Sequence, residues 1–62
     1  MKMKLVLERF PIDLLDLMES ELARHTKCEI TQTDIDVTIH CDADVVKCME
    51  VLAVADKFIK NN

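Results

Sequence analysis

The second half of the chain passes from an alternating strand directly into a long apolar helix, and this pattern constrains the fold more than any other. Residues 35–41 alternate apolar and polar side chains, which is typical of a half-buried strand. Asp42 is then the expected N-cap of a helix that stays apolar to Ile59. A helix in a chain of 62 residues has one sheet face to cover, and this one has more apolar surface than that task requires. The excess indicates a protein partner.

The rest of the chain supplies two more strands and one more helix. Strand one, at 2–8, alternates cleanly, and Pro11 suits the first turn of a helix that runs to about His25. A short strand two at 27–31 is followed by a tight polar connection at 32–34. The inward strand positions are predicted to be Met3, Leu5, Leu7, Cys28, Ile30, Ile35, Val37, Ile39 and Cys41.

These elements predict a single α+β domain spanning residues 1–62, in the order β-α-β-β-α. A right-handed crossover between strands one and two leaves a gap that strand three fills. The result is a three-stranded antiparallel sheet in the order 1-3-2, with two helices on one face. Strand one then has an open edge, which invites pairing with another chain. The predicted dimer edge consists of Lys2, Lys4, Val6 and Glu8.

Composition excludes several classes of function. A net charge of −4 argues against a free-standing nucleic-acid binder. No apolar stretch is long enough for a transmembrane span or a signal peptide. Three cysteines without a CxxC motif indicate reduced thiols in the cytoplasm. The absence of glycine removes every glycine-rich phosphate loop.

The residues that could carry chemistry have simpler structural roles. Cys28, Cys41 and Cys48 are expected to be buried thiols, which behave as small hydrophobic side chains. His40 and Cys41 are adjacent on a strand and point to opposite faces, so they do not readily share a metal ion. Asp42 and Asp44 suit the start of a helix better than a catalytic pair. The sequence therefore predicts no enzyme, no catalytic residue, no metal and no cofactor.

Met49 is open to two interpretations. Methionine fills irregular gaps in cores, and Met49 lies on a helix that must cover a sheet. It also suits an adaptable docking surface with the apolar residues beside it. The predicted partner-binding residues are Val46, Met49, Ala53, Val54 and Lys57.

Four short segments resemble one known family. They are Lys27-Cys28-Glu29-Ile30, Val37-Thr38-Ile39-His40-Cys41-Asp42, Asp44-Val45-Val46 and Phe58-Ile59-Lys60. In this order they resemble the small dimerisation subunit of the KEOPS complex and its small archaeal paralogue. The middle of the last helix departs from that family. Where its members carry Ala-Leu-Arg and then Asn-Ser, this chain has Lys47-Cys48-Met49-Glu50 and Ala53-Val54-Ala55.

The resemblance implies a non-catalytic role. Members of the family scaffold a complex that installs threonylcarbamoyl on adenosine next to the anticodon of certain tRNAs, and their helices dock on its catalytic subunit. The expected partners are therefore proteins, in a homo- or heterodimer and in a tRNA-modifying complex, without direct nucleic-acid or membrane binding. Two alternatives stay open. One is a small acidic inhibitor or regulator of a host protein, and the other is an oligomer that binds a small ligand between subunits.

Overall fold

A computed structural model describes the backbone of residues 1–60 and the side chains of residues 1–59. The predicted order β-α-β-β-α is confirmed, and the first helix begins as a 3-10 turn. It also ends two residues before His25. The elements are β1 (Lys2–Leu7), the 3-10 turn (Ile12–Leu14), α1 (Leu15–Ala23), β2 (Cys28–Thr33), β3 (Asp36–Asp42) and α2 (Val45–Lys60).

The sheet has the predicted antiparallel order β1-β3-β2. β1 ends at Leu7, because Arg9 adopts a left-handed φ of 56° and turns the chain. The Arg9 N–H donates to Asp36 Oδ1 at 3.2 Å, which holds this turn against the start of β3. Glu8 consequently lies in the turn, and its assignment to the strand is wrong.

The β2–β3 hairpin is tighter than the sequence predicts. Thr33 is paired with Asp36, so the connection contains only Asp34 and Ile35. Asp34 has a φ of 56°, a conformation that tight hairpins require and that aspartate tolerates. Ile35 is 52% exposed, so its predicted inward position is wrong. Ile35 continues the apolar–polar alternation of β3 in the sequence, but in the structure it belongs to the turn before that strand.

The core lies between one sheet face and both helices. β3 contributes its inward residues to this layer, and α1 contributes Met18 and Leu22, so both helices cover the same face. The core is aliphatic and sulfur-rich, as the composition predicts, with Phe10 as its aromatic member. The buried residues are Leu7, Phe10, Met18, Leu22, Val37, Ile39, Cys41, Cys48, Val51, Val54 and Ala55.

Helix α2 is capped by Asp44, and the prediction of Asp42 as the N-cap is wrong. The Lys47 N–H donates to Asp44 Oδ1 at 2.8 Å, and the Cys48 N–H donates to the Asp44 carbonyl at 3.0 Å. Asp42 is the last residue of β3. The Ala43 N–H extends the sheet by donating to the Met1 carbonyl at 3.0 Å, which delays the start of the helix.

Polar contacts join the two helices along one seam. His25 Nδ1 at the end of α1 lies 3.1 Å from Glu50 Oε1 in α2. Two turns further along α2, Lys57 Nζ lies 3.6 Å from Oε2 of Glu21, which is one turn before His25 in α1. These partly exposed pairs orient α2, and each contributes at most about 1 kcal/mol to stability.

Candidate interaction surface

Helix α2 carries an apolar stripe on its solvent side. Val46 and Met49 are 64% and 63% exposed, which is high for residues of their size. We call the exposed apolar residues of this helix the outer stripe; they are Val45, Val46, Met49, Leu52, Ala53 and Ile59.

The outer stripe has its own direction on the helix. Successive residues turn by about 100°, so the stripe occupies one sector and the buried residues occupy the next. Charged residues of the α1 seam, including Glu50 and Lys57, occupy a third sector. Asp56 falls within the outer stripe, so the stripe is uninterrupted only over residues 45–53. The stripe therefore faces solvent: Val46 and Ala53 border the seam, and Val45, Leu52 and Ile59 form the side farthest from α1.

The predicted partner-binding residues divide between these three sectors. Val46, Met49 and Ala53 are exposed in the outer stripe. Val54 is only 7% exposed and belongs to the core, so its predicted place beside Met49 on the surface is wrong. The reason is that Val54 lies three residues after the fully buried Val51, on the same helix face.

Lys57 is in the seam sector, where its ammonium group approaches Glu21 at 3.6 Å. It therefore pairs with α1, at the border between the seam and the outer stripe, one helical turn after Ala53. Conversely, the prediction omitted Val45, Leu52 and Ile59, which the stripe includes. Their spacing from Met49 by four, three and ten residues, respectively, was the signal, since it follows the helical period.

Strand β1 presents an unpaired edge. The Met1 carbonyl accepts its hydrogen bond from Ala43, so odd-numbered positions of β1 bond to β3. Even-numbered positions then direct their N–H and C=O groups to the open side. These are Lys2, Lys4 and Val6, three of the four predicted edge residues. Val6 is 49% exposed and adds an apolar side chain to this edge.

The outer stripe and the β1 edge lie on the same flank of the molecule. α1 packs beside β2, at the opposite side of the sheet. α2 begins beside β1, where Cys48 Sγ lies 4.0 Å from the Met1 carbonyl. The side of the stripe farthest from α1, formed by Val45, Leu52 and Ile59, therefore lies toward β1. An apolar helix face and free backbone groups thus adjoin each other.

The sheet face opposite the helices is polar. Its central residue, His40, is paired with Lys4 on one side and with Glu29 on the other. Thr38 lies one row further along, between Val6 and Thr31. Such a mixture of charged and hydroxyl side chains suits a hydrated surface better than a protein interface core.

The three thiols meet at one end of the core. Cys28 lies opposite Cys41 in the sheet, and both line a shallow depression of about 620 Å³. Burial raises the pKa of the Cys41 thiol, and the neighbouring Cys28 acts in the same direction. Burial also raises the pKa of Cys48. Neutral thiols are weak nucleophiles, and residues 1–59 contain no group of three potential ligands arranged to hold a metal ion.

Neither helix in the described part of the chain is long and apolar enough to cross a membrane. Within that part, every buried polar side-chain atom has a hydrogen-bond partner, so the core has no polar group aimed at a ligand. Comparisons with protein-family models, with curated proteins and with solved structures found no match to this chain.

Proposed function

We propose that this chain is a non-catalytic interaction subunit that assembles through the flank formed by β1 and the outer stripe. The observation that carries the proposal is the adjacency of these two features. An open strand edge offers backbone hydrogen bonds, and an apolar helix face offers burial, so one partner can use both together.

The first partner is a second copy of the chain, because β1 is complementary to itself in one register. With Leu5 at the two-fold axis, antiparallel β1 strands pair Lys4 with Val6 and direct Lys2 toward Glu8 in the turn that follows the partner strand. This register joins positions whose backbone groups face the open side, and it keeps the inward residues on one face. Shifting it by two residues in one direction would bring two copies of Lys4 together, which like-charge repulsion disfavours. Shifting it in the other direction would pair Val6 with Val6 and would extend the pairing of Lys4 to Glu8, which lies outside the strand.

Such a dimer has a six-stranded sheet with all four helices on one face. The two outer stripes then approach each other across the two-fold axis, where apolar contact supplements the strand pairing. Beyond the dimer, the segment resemblance supports a scaffold role in a KEOPS-like tRNA-modifying complex. The cytosol suits this role, because all three cysteines are free thiols.

The test is the effect of a charge within the outer stripe on self-association. Met49→Glu puts a carboxylate on an exposed helix position, so the monomer should fold normally. In the dimer that carboxylate would lose water without gaining a partner, and we expect the dissociation constant to rise by roughly tenfold or more. Sedimentation equilibrium measures the constant, and circular dichroism confirms the helix content.

Leu17→Glu is the matched control. Leu17 is 60% exposed on α1, so the substitution adds the same charge to an equally exposed helix position outside the flank. It should leave the association constant unchanged. A monomeric wild-type chain at high concentration would contradict the dimer, and equal effects of both substitutions would contradict the role of the stripe.

Affinity purification of the tagged chain from its source cells then separates the wider alternatives. Stoichiometric recovery of tRNA-modifying subunits supports the scaffold role. Recovery of one unrelated protein would instead establish an inhibitor or regulator, and a self-oligomer that retains a small molecule would establish a ligand-binding role.

A further inference from the structure

Two of the cysteines form a directly opposed pair across two strands. Cys28 in β2 is the register partner of Cys41 in β3. The odd-numbered residues of β3 bond to β1, as the Ala43–Met1 hydrogen bond indicates, so Cys28 and Cys41 form a non-hydrogen-bonded pair. In such pairs the Cα atoms are about 4.5 Å apart and the side chains are at their closest. Disulfides span Cα separations of about 4.4–6.8 Å, a range that includes the separation typical of such pairs.

The side chains of this pair point the same way. Both are on the helix-facing side of the sheet, where Cys41 belongs to the core and Cys28 packs against it. Cys41 is buried, whereas Cys28 is half-buried. Both line the shallow depression at the end of the sheet, through which a small reagent can reach them.

Cys48 is the third thiol of the group, and it is less accessible. It is 1% exposed, and its Sγ lies 3.7 Å from the Ala43 carbonyl, to which the thiol donates. It also does not line the depression that Cys28 and Cys41 share. Attack by an external reagent therefore begins at Cys28 and is completed by the neighbour that lies opposite it.

We propose that Cys28 and Cys41 are a reversible oxidation site that forms a disulfide on exposure to a low-molecular-weight disulfide such as oxidised glutathione. The Cys28 thiolate attacks one sulfur of glutathione disulfide, forms a mixed disulfide and releases one glutathione. The Cys41 thiolate then attacks the Cys28 sulfur and releases the second glutathione. The two protein thiols lose two electrons and two protons, and the reagent gains them as two thiols.

The new bond would fasten the hairpin at the end opposite its turn. β2 is otherwise held to β3 by backbone hydrogen bonds and has no second neighbouring strand. Closing the loop restricts the unfolded chain more than the folded one, so the oxidised protein should unfold at a higher temperature. Reduction reverses the change. This inference does not depend on the proposed dimer.

Trypsin distinguishes the possible bridges directly. Cleavage after Lys27, Lys47 and Lys57 places Cys28 and Cys41 together in peptide 28–47, and places Cys48 in peptide 48–57. After treatment with oxidised glutathione, blocking of free thiols and digestion, we expect peptide 28–47 to be two hydrogens lighter and peptide 48–57 to carry the blocking group. A bridge involving Cys48 would instead link the two peptides.

Two variants sharpen the test. Cys48→Ala should still form the bridge within peptide 28–47, whereas Cys28→Ser should lose it, and the higher unfolding temperature should be lost with it. The denatured wild-type chain serves as the reactivity control. The proposal would be overturned by a bridge that involves Cys48, or by loss of the bridge in folded Cys48→Ala. It would also be overturned if the folded protein formed no bridge under conditions that oxidise the denatured chain.

Discussion

At the residue scale, two turns of this chain use left-handed backbone without glycine. Arg9 and Asp34 both have a φ of 56°, one at the end of β1 and the other in the hairpin. Aspartate tolerates this region because its short side chain can bond locally, whereas arginine has no such advantage. The turn at Arg9 persists because the Arg9 and Phe10 N–H groups bond to the hairpin at 3.2 and 3.0 Å.

Arg9→Gly should therefore stabilise the protein. A left-handed non-glycine residue costs about 1–2 kcal/mol, and the greater freedom of glycine in the unfolded chain offsets about half of that gain. We expect the free energy of unfolding in urea to rise by up to about 1 kcal/mol. Glu8→Gly is the control, since Glu8 does not share this conformation, and it should lower stability. A destabilised Arg9→Gly variant would mean that the arginine side chain contributes more than its backbone costs.

The same residues show where sequence reasoning fails. Without a glycine to mark its position, the hairpin turn was placed at 32–34, and the alternation of β3 extended falsely to Ile35. Likewise Asp42 and Asp44 are both acceptable caps, and only the extra sheet hydrogen bond at Ala43 decides between them. These choices depend on tertiary contacts that no short window of sequence contains.

At the scale of elements, alternation and helical period carried much more information. The period of two in β1 and β3 identified their inward faces, and the right-handed crossover rule led to the strand order. Helix α2 was harder, because it is apolar around most of its circumference. Its direction on the sheet depends on the seam with α1, which is why Val54 was misplaced and Leu52 was omitted.

Substituting Val6 by a positive and, separately, by a negative residue tests the proposed register between two β1 strands. In the proposed dimer, Val6 lies opposite Lys4 of the second copy, twice by symmetry. Val6→Lys should weaken association through two like-charge pairs, and Val6→Glu should strengthen it through two opposite-charge pairs, each about 0.2–1 kcal/mol. Both variants lose the same valine, so the comparison isolates the charge. Sedimentation equilibrium at low and high salt measures it; equal dissociation constants for the two variants would exclude this register.

At the scale of the whole molecule, the buried thiols link stability to pH. Burial raises the pKa of Cys41 and Cys48 above the ordinary value of 9.0, so the folded chain retains both protons to higher pH than the unfolded chain. Unfolding then releases protons, and stability falls as the pH rises. The contribution of these thiols is complete below pH 9.0 and is lost between that value and the raised pKa values.

We therefore expect the free energy of unfolding to decline progressively above about pH 9 under reducing conditions. Urea titrations at several pH values, followed by circular dichroism, give the slope. The double variant Cys41→Val with Cys48→Ala removes both groups and should show a shallower decline. An identical slope in the double variant would assign the effect to other groups that titrate in this range.

The strand order has a consequence for how the chain becomes folded. β2 and β3 are joined by two residues and can pair as soon as both are synthesised, whereas β1 must wait for a strand made much later. During synthesis β1 is thus exposed along both edges while α1 and the hairpin emerge. Its pairing with β3 also closes the longer loop of chain. A second molecule paired with the outer edge of β1 would oppose its separation from β3, so association would stabilise the folded chain as well as build a larger assembly.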